Sequence, residues 1–144
     1  MEKGKTLLLS IKPVFAHKIL NGEKKFEYRK KRAIMPVGRA VIYSTLPEQM
    51  ILGEATIRSV LEDEKEKLWK KTKEYAGLKK EEFDKYFCGC ERAVAYHLDD
   101  VVVYDEEIRL SDLHIFRSPQ SYQYLEDGLI DRVVKEKRSS LENC

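Results

Sequence analysis

The chain has 144 residues, which fits one domain with a single core. Its 36% charged and 42% hydrophobic residues describe a globular protein whose apolar positions are few and must all be used. A net charge of +2 excludes a molecule that attracts polyanions over its whole surface, so any such site must come from local clustering. No apolar run approaches the eighteen or so residues of a membrane span, and MEKGKTLLLSIKP is too short in apolar residues for a secretory leader. Three cysteines make no disulfide framework, and the expected location is the cytoplasm.

Residues 5–11 (KTLLLSI) read as a short buried strand. Pro13 suits a first helical turn, and Phe15, Ala16, Ile19 and Leu20 follow at helical spacing until Asn21-Gly22 stops the helix. After Gly22 the period becomes two, with Phe26 and Tyr28 alternating with Glu27 and Arg29, as in a half-buried strand. Met35-Pro36-Val37-Gly38 reads as a turn, 39–45 as a largely buried strand, and 51–61 as another, with Gly53 a bulge or close-approach point.

From 64 to 87 the pattern is helical. Leu68, Trp69, Thr72, Tyr75 and Ala76 form one stripe, Gly77 breaks it, and a second helix begins near Lys79, with Leu78 and Phe83 as a staple and Glu82 at the inner capping position. Trp69, Tyr75, Phe83, Tyr86 and Phe87 are expected in the core. Residues 91–98 and 101–110 return to strand composition around Asp99-Asp100, as a hairpin or one bent strand. Residues 118–125 show no helical period, and a charged helical tail begins at about 126. The whole of 1–144 reads as one α+β domain or small barrel of five to six short strands, with a short N-terminal helix and a helical insertion, rather than a βαβ parallel sheet.

The basic cluster is NGEKKFEYRKKR, residues 21–32, in which Lys24, Lys25, Arg29, Lys30, Lys31 and Arg32 surround Phe26, Glu27 and Tyr28. Gly22, Lys24, Glu27 and Arg29 satisfy G-x-K-x-x-E-x-R, directly after the strand-helix-glycine unit SIKPVFAHKILNG. With EFDKYF (82–87), AVAYHL (93–98) and PQSYQYL (119–125), this resembles the ASCH domain family, a branch of the PUA-like superfold, over roughly residues 6–125. The resemblance implies a PUA-like pseudo-barrel with a helix-flanked cleft, and a role in RNA binding, with hydrolytic activity in some branches.

Gly22 allows the chain to pass from helix to strand within a residue or two, delivering Lys24 at the strand mouth. Glu27 and Arg29 share a face. Lys24 joins them only if it sits in the turn or on a twist. Converging, Arg29 offers a planar fork to phosphate or a base edge, Lys24 a cation or titratable amine, and Glu27 an anchor or an acceptor for an exocyclic amine. Pointing apart, Glu27 and Arg29 are only a surface ion pair worth under about 1 kcal/mol.

Lys12 and Glu54 are further candidates for the same cleft edge. Ser44 and Thr45 end a strand nearby, where a turn-stabilising role is expected. Tyr122 and Tyr124 either stack bases or pack the tail onto the barrel. The leading reading is a domain that binds RNA or a modified nucleotide through Lys12, Lys24, Glu27, Arg29 and Tyr122, in RNA processing or in regulating transcription or translation. The rival is a hydrolase of a nucleic-acid-related bond, a ribonuclease or an enzyme like the N4-acylcytidine amidohydrolases, with Lys24 and Glu27 as catalytic groups. The family's small amidohydrolases carry threonine where Glu27 stands. A third is a protein-interaction accessory of transcription that uses the helices of 64–87.

Cys88-x-Cys90 with His97 and Cys144 does not make a structural zinc set, and no metal is expected. His17, His97 and His114 lie in no triad-like neighbourhood, and no Walker or dinucleotide fingerprint is present, so no cofactor is expected.

Overall fold

The computed structural model describes residues 4–142. Six strands form one mixed sheet: β1 (Lys5–Ile11), β2 (Phe26–Arg29), β3 (Val37–Ser44), β4 (Met50–Glu64), β5 (Arg92–Ile108) and β6 (Tyr122–Leu125). Four helices accompany them: α1 (Pro13–Leu20), α2 (Lys65–Thr72), α3 (Lys80–Tyr86) and α4 (Leu129–Glu142). The order across the sheet is β2-β5-β4-β3-β1-β6. This is the expected α+β class.

The strands at the middle explain the apolar run of the N-terminus. Leu7, Leu8 and Leu9 are all fully buried, because β1 has core on both faces. Leu7, Leu9, Ile11, Ala40 and Ile42 face the layer that includes Ala16 and Ile19 of α1. Leu8, Val41 and Tyr43 face the layer closed by Ile130 and Val133 of α4. A strand buried on both faces reads as a continuous hydrophobic run rather than an alternation.

Some expectations are sharpened, the bent strand at Asp99-Asp100 among them, and others are corrected. β1 and β3 pair in parallel, with α1 and β2 in the connection between them, so the fold does contain one parallel pair. β4 and β5 are not short, at 15 and 17 residues. The two segments around Asp99-Asp100 are one bent strand, with Asp100 at φ +49. The segment with no helical period contains β6, which pairs with β1. The tail helix starts at 129.

In the insertion, α2 passes through a short 3-10 turn (Lys73–Tyr75) to Gly77 at φ +74 and then α3, where the Lys79 N–H donates to Glu82. Tyr75 and Tyr86 are exposed rather than core. Lys25 and Lys30 lie over their rings at 4.7 and 5.2 Å, so each ring meets a cation at the surface.

Candidate functional site

The path from α1 to β2 sets up the site. Gly22 takes φ +88, and the Lys24 N–H returns to the Lys18 carbonyl at 3.0 Å. Lys24 therefore lies in the turn, off the strand, where the two-residue alternation does not apply. Within β2, Phe26 and Tyr28 turn toward the helical insertion, leaving Glu27 and Arg29 on the opposite face.

The three ionic side chains converge. The Lys24 ammonium is 3.8 Å from Glu27 Oε1, and Arg29 Nη2 donates to Glu27 Oε2 at 2.9 Å. They are not surface groups: Lys24 is 2% exposed and Glu27 8%. Lys24 Nζ donates to the Ala76 carbonyl at 2.7 Å and sits 4.8 and 5.4 Å from the ring centres of Tyr28 and Phe15. Burial lowers its pKa from 10.5 to about 8, helped by the nearby Lys18 and Arg29 cations and opposed by Glu27. Beneath it the Tyr28 hydroxyl meets Thr72 Oγ1 at 2.6 Å, and since Thr72 donates to the Leu68 carbonyl, Tyr28 is the donor.

Arg29 joins this array to the other edge of the sheet. Nη1 donates to the Ser121 hydroxyl and carbonyl at 2.9 and 3.2 Å, and Nη2 also to the Ser10 carbonyl at 2.9 Å. β2 and β6 are the two outer strands, so one guanidinium spans the gap that a closed barrel would fill with a ladder. Its fork, read from the sequence as open to a phosphate, is already occupied by protein. Only Nε, itself buried, has no partner among the described residues.

Ser10 connects the array to a second feature. It is the register partner of Tyr43 in the β1–β3 pair, and its hydroxyl donates to the Pro119 carbonyl at 2.7 Å. The hydroxyls of Tyr43 and Ser118 lie 3.2 Å apart. There, at the C-terminal ends of β1 and β3, is a cleft of about 260 Å³ lined by Tyr43, Gln49, Arg109, Ser111, Phe116 and Ser118 among others. Gln49 reaches it from a left-handed conformation, φ +48. None of these residues carried a motif in the sequence; they meet because the parallel pair ends beside the 114–121 loop.

The remaining candidates divide between this rim and elsewhere. Lys12 caps α1 at the end of β1, where its carbonyl accepts the N–H groups of Phe15 and Ala16, and its exposed ammonium forms no hydrogen bond or ion pair among the described residues. Arg117 is in the same condition. Glu54 belongs to a different network, accepting from Tyr104 at 2.6 Å and from Arg39, which also holds Asp131 of α4. Tyr122 and Tyr124 are half-buried and pack edge-to-face at 5.5 Å, and the Tyr124 hydroxyl accepts from the Met35 N–H. Ser44 donates to Glu48 Oε1 at 2.7 Å, and the Thr45 carbonyl accepts the N–H groups of Glu48 and Gln49, so both hold the turn. His17 does have a carboxylate partner, Glu48 at 2.8 Å, but Ser44 bonds that carboxylate rather than the imidazole, so no serine–histidine relay forms.

Cys88 and Cys90 are free thiols, His97 stacks on Phe26 at 4.8 Å, and Cys144 lies outside the described residues. No group of three metal-ligating side chains occurs among the described residues, and no described helix is long and apolar enough to cross a membrane.

Over 138 residues the chain is 29% identical to an ASCH domain-containing ribonuclease of Zymomonas mobilis, covering 90% of each. The crystal structure of ASCH from Zymomonas mobilis superposes with a TM-score of 0.83 at 28% identity, covering 91% of this chain and 94% of that one. Serine-to-alanine and tyrosine-to-phenylalanine variants of that protein superpose equally well, at 0.83 and 0.82. The large ribosomal subunit protein uL22 of Ureaplasma parvum is 27% identical over 125 residues, 86% of this chain but 40% of that protein. The ASCH domain model matches residues 9–109, most of the chain and the whole of the Lys24–Glu27–Arg29 array, and the chain belongs to the ASCH domain family.

Proposed function

We propose that this protein binds RNA at the rim formed by the C-terminal ends of β1 and β3 and the 114–121 loop. The observation that carries the reading is that Arg29 ties the buried Lys24–Glu27 pair to Ser10 and Ser121, the backbone of that rim. Burying three ionic groups costs more than an apolar substitute would, so the array is an expensive way merely to hold a strand edge. Its product is a fixed rim bearing two cations without protein partners, Lys12 and Arg117. In this reading Lys12 takes a phosphate directly, Lys24, Glu27 and Arg29 act from behind as positioning residues, and Tyr122 supports the loop from β6. That the Zymomonas mobilis relative is named a ribonuclease favours RNA over other polyanions.

The test is fluorescence anisotropy with a labelled single-stranded 12-nucleotide RNA. Affinity should fall steeply between 50 and 200 mM salt, and Lys12→Ala should weaken it and reduce the salt slope by about one counterion. Affinity indifferent to both salt and Lys12→Ala refutes the reading.

A second reading, hydrolysis, is favoured by the Tyr43–Ser118 hydroxyl pair in the cleft beside Arg109. Hydroxyls and a cation in a hollow are groups that transfer protons to, and neutralise charge on, a phosphodiester under attack. The crystallised variants of the Zymomonas mobilis protein remove a serine and a tyrosine hydroxyl, the two residue types paired here. Gel analysis of RNA incubated with wild type and with Tyr43→Phe separates the readings: cleavage lost in the variant supports hydrolysis, and saturable binding without product discards it.

A further inference from the structure

We infer that Phe116 is the platform on which one base of a single-stranded RNA stacks at the mouth of the cleft; the inference rests on the proposal that this rim binds RNA. Phe116 is 81% exposed, and nothing in the fold covers it. Leaving a phenylalanine in water forgoes roughly 1.5–3 kcal/mol of burial. A loose loop would explain the exposure, but this loop is anchored on both sides of the ring. Leu113 is buried and Ile115 packs into the layer beneath α4, while Ser118 bonds Tyr43 and the Pro119 carbonyl accepts from Ser10. The ring is held out rather than left out.

What surrounds the ring selects the ligand. Arg117, the next residue, is exposed and without a partner among the described residues. Beside the ring the cleft is lined by Tyr43, Ser111, Ser118 and Gln49, all with polar side chains, the Tyr43 and Ser118 hydroxyls being bonded to each other. An apolar protein segment would cover the ring but offer nothing to the Arg117 cation or to the polar groups beside it. A nucleotide satisfies all of them, with its base on the phenylalanine, its phosphate toward Arg117, and its sugar and base edges toward the hydroxyls and amide. At about 260 Å³ the hollow is small beside the roughly 300–1,000 Å³ of pockets that enclose drug-sized ligands. A base splayed out of a single strand is free to stack on the ring, whereas the bases of a duplex are already stacked on one another.

The test uses the full chain and a single-stranded RNA carrying 2-aminopurine, with Phe116→Ala and Phe116→Trp. Because the ring is exposed, both variants should fold as wild type does. Phe116→Ala should weaken binding about 5- to 150-fold, with the salt slope unchanged. Phe116→Trp should keep wild-type affinity. The 2-aminopurine emission, quenched on binding wild type, should not be quenched by Phe116→Ala. Wild-type affinity and quenching in Phe116→Ala would overturn the inference and leave the ring to a protein partner. Wild type failing to bind RNA at low salt would overturn the RNA proposal itself, which is a different result from a variant matching a competent wild type.

Discussion

The side chain of Lys24 lies across Gly77 so closely that a β-carbon on the glycine would stand 2.5 Å from Lys24 Cβ, 2.6 Å from its Cγ and 2.8 Å from its Cδ. Gly77 is also at φ +74, which side-chain-bearing residues rarely adopt. The glycine that ends the first part of the insertion is thus the floor on which the buried lysine lies, and its neighbour Ala76 supplies the carbonyl that the ammonium bonds. Gly77→Ala should destabilise the protein by roughly 2–4 kcal/mol in denaturant unfolding. Combined with Lys24→Ala, which removes Cγ and Cδ from the clash, it should show a coupling of about 1 kcal/mol or more. Simple additivity would mean that the two do not share the space.

Lys24 also makes stability depend on pH in a definite direction. Its amine titrates at about 8 in the folded protein and near 10.5 in the unfolded chain. Between those values the unfolded state binds more protons, so stability rises with pH there, and the gain is lost as pH falls through 8. Tyr28, whose pKa burial raises to about 12, acts oppositely above pH 10, so the clean window is pH 8 to 9.5. Across it, wild type should gain ~2 kcal/mol relative to Lys24→Met. Parallel curves for the two proteins would show that the amine does not titrate there.

Arg29 should behave as a clasp between sheet edges. Lysine keeps the charge but cannot reach Glu27, Ser10 and Ser121 together, because it lacks the planar fork. Arg29→Lys should cost ~2–4 kcal/mol, since it leaves buried acceptors unpaired. It should also speed hydrogen exchange at the Ser10 amide, which bonds the Ser121 carbonyl. Wild-type protection at Ser10 in a folded variant would contradict the clasp.

The sequence made the fold class legible, and with it the strands around the core, because period-two and buried-run patterns follow directly from which faces are covered. The KTLLLSI run and the Phe26/Tyr28 alternation are such cases. It could not reveal that β1 pairs with β3 in parallel, since pairing partners leave no mark on periodicity. β6 was hidden for a related reason: an edge strand of four residues, Tyr122–Leu125, is too short to show alternation. Tyr75 and Tyr86 sit at helical spacing yet face outward, because an aromatic ring under an ammonium needs no core. The triad of Lys24, Glu27 and Arg29 was legible as a motif. That it would be buried, with the arginine fork spent on Ser10 and Ser121, was not, because those acceptors are a backbone carbonyl and a loop serine remote in sequence. The Tyr43–Ser118 cleft had no local signal at all.

Where RNA rests on the molecule decides the account most directly. A single-stranded RNA containing 4-thiouridine, crosslinked to the protein by light and mapped by mass spectrometry, should label residues 10–13, 43–49 and 109–121, the segments of the rim. Crosslinks confined to the helical insertion at 65–87 or to α4 would contradict it.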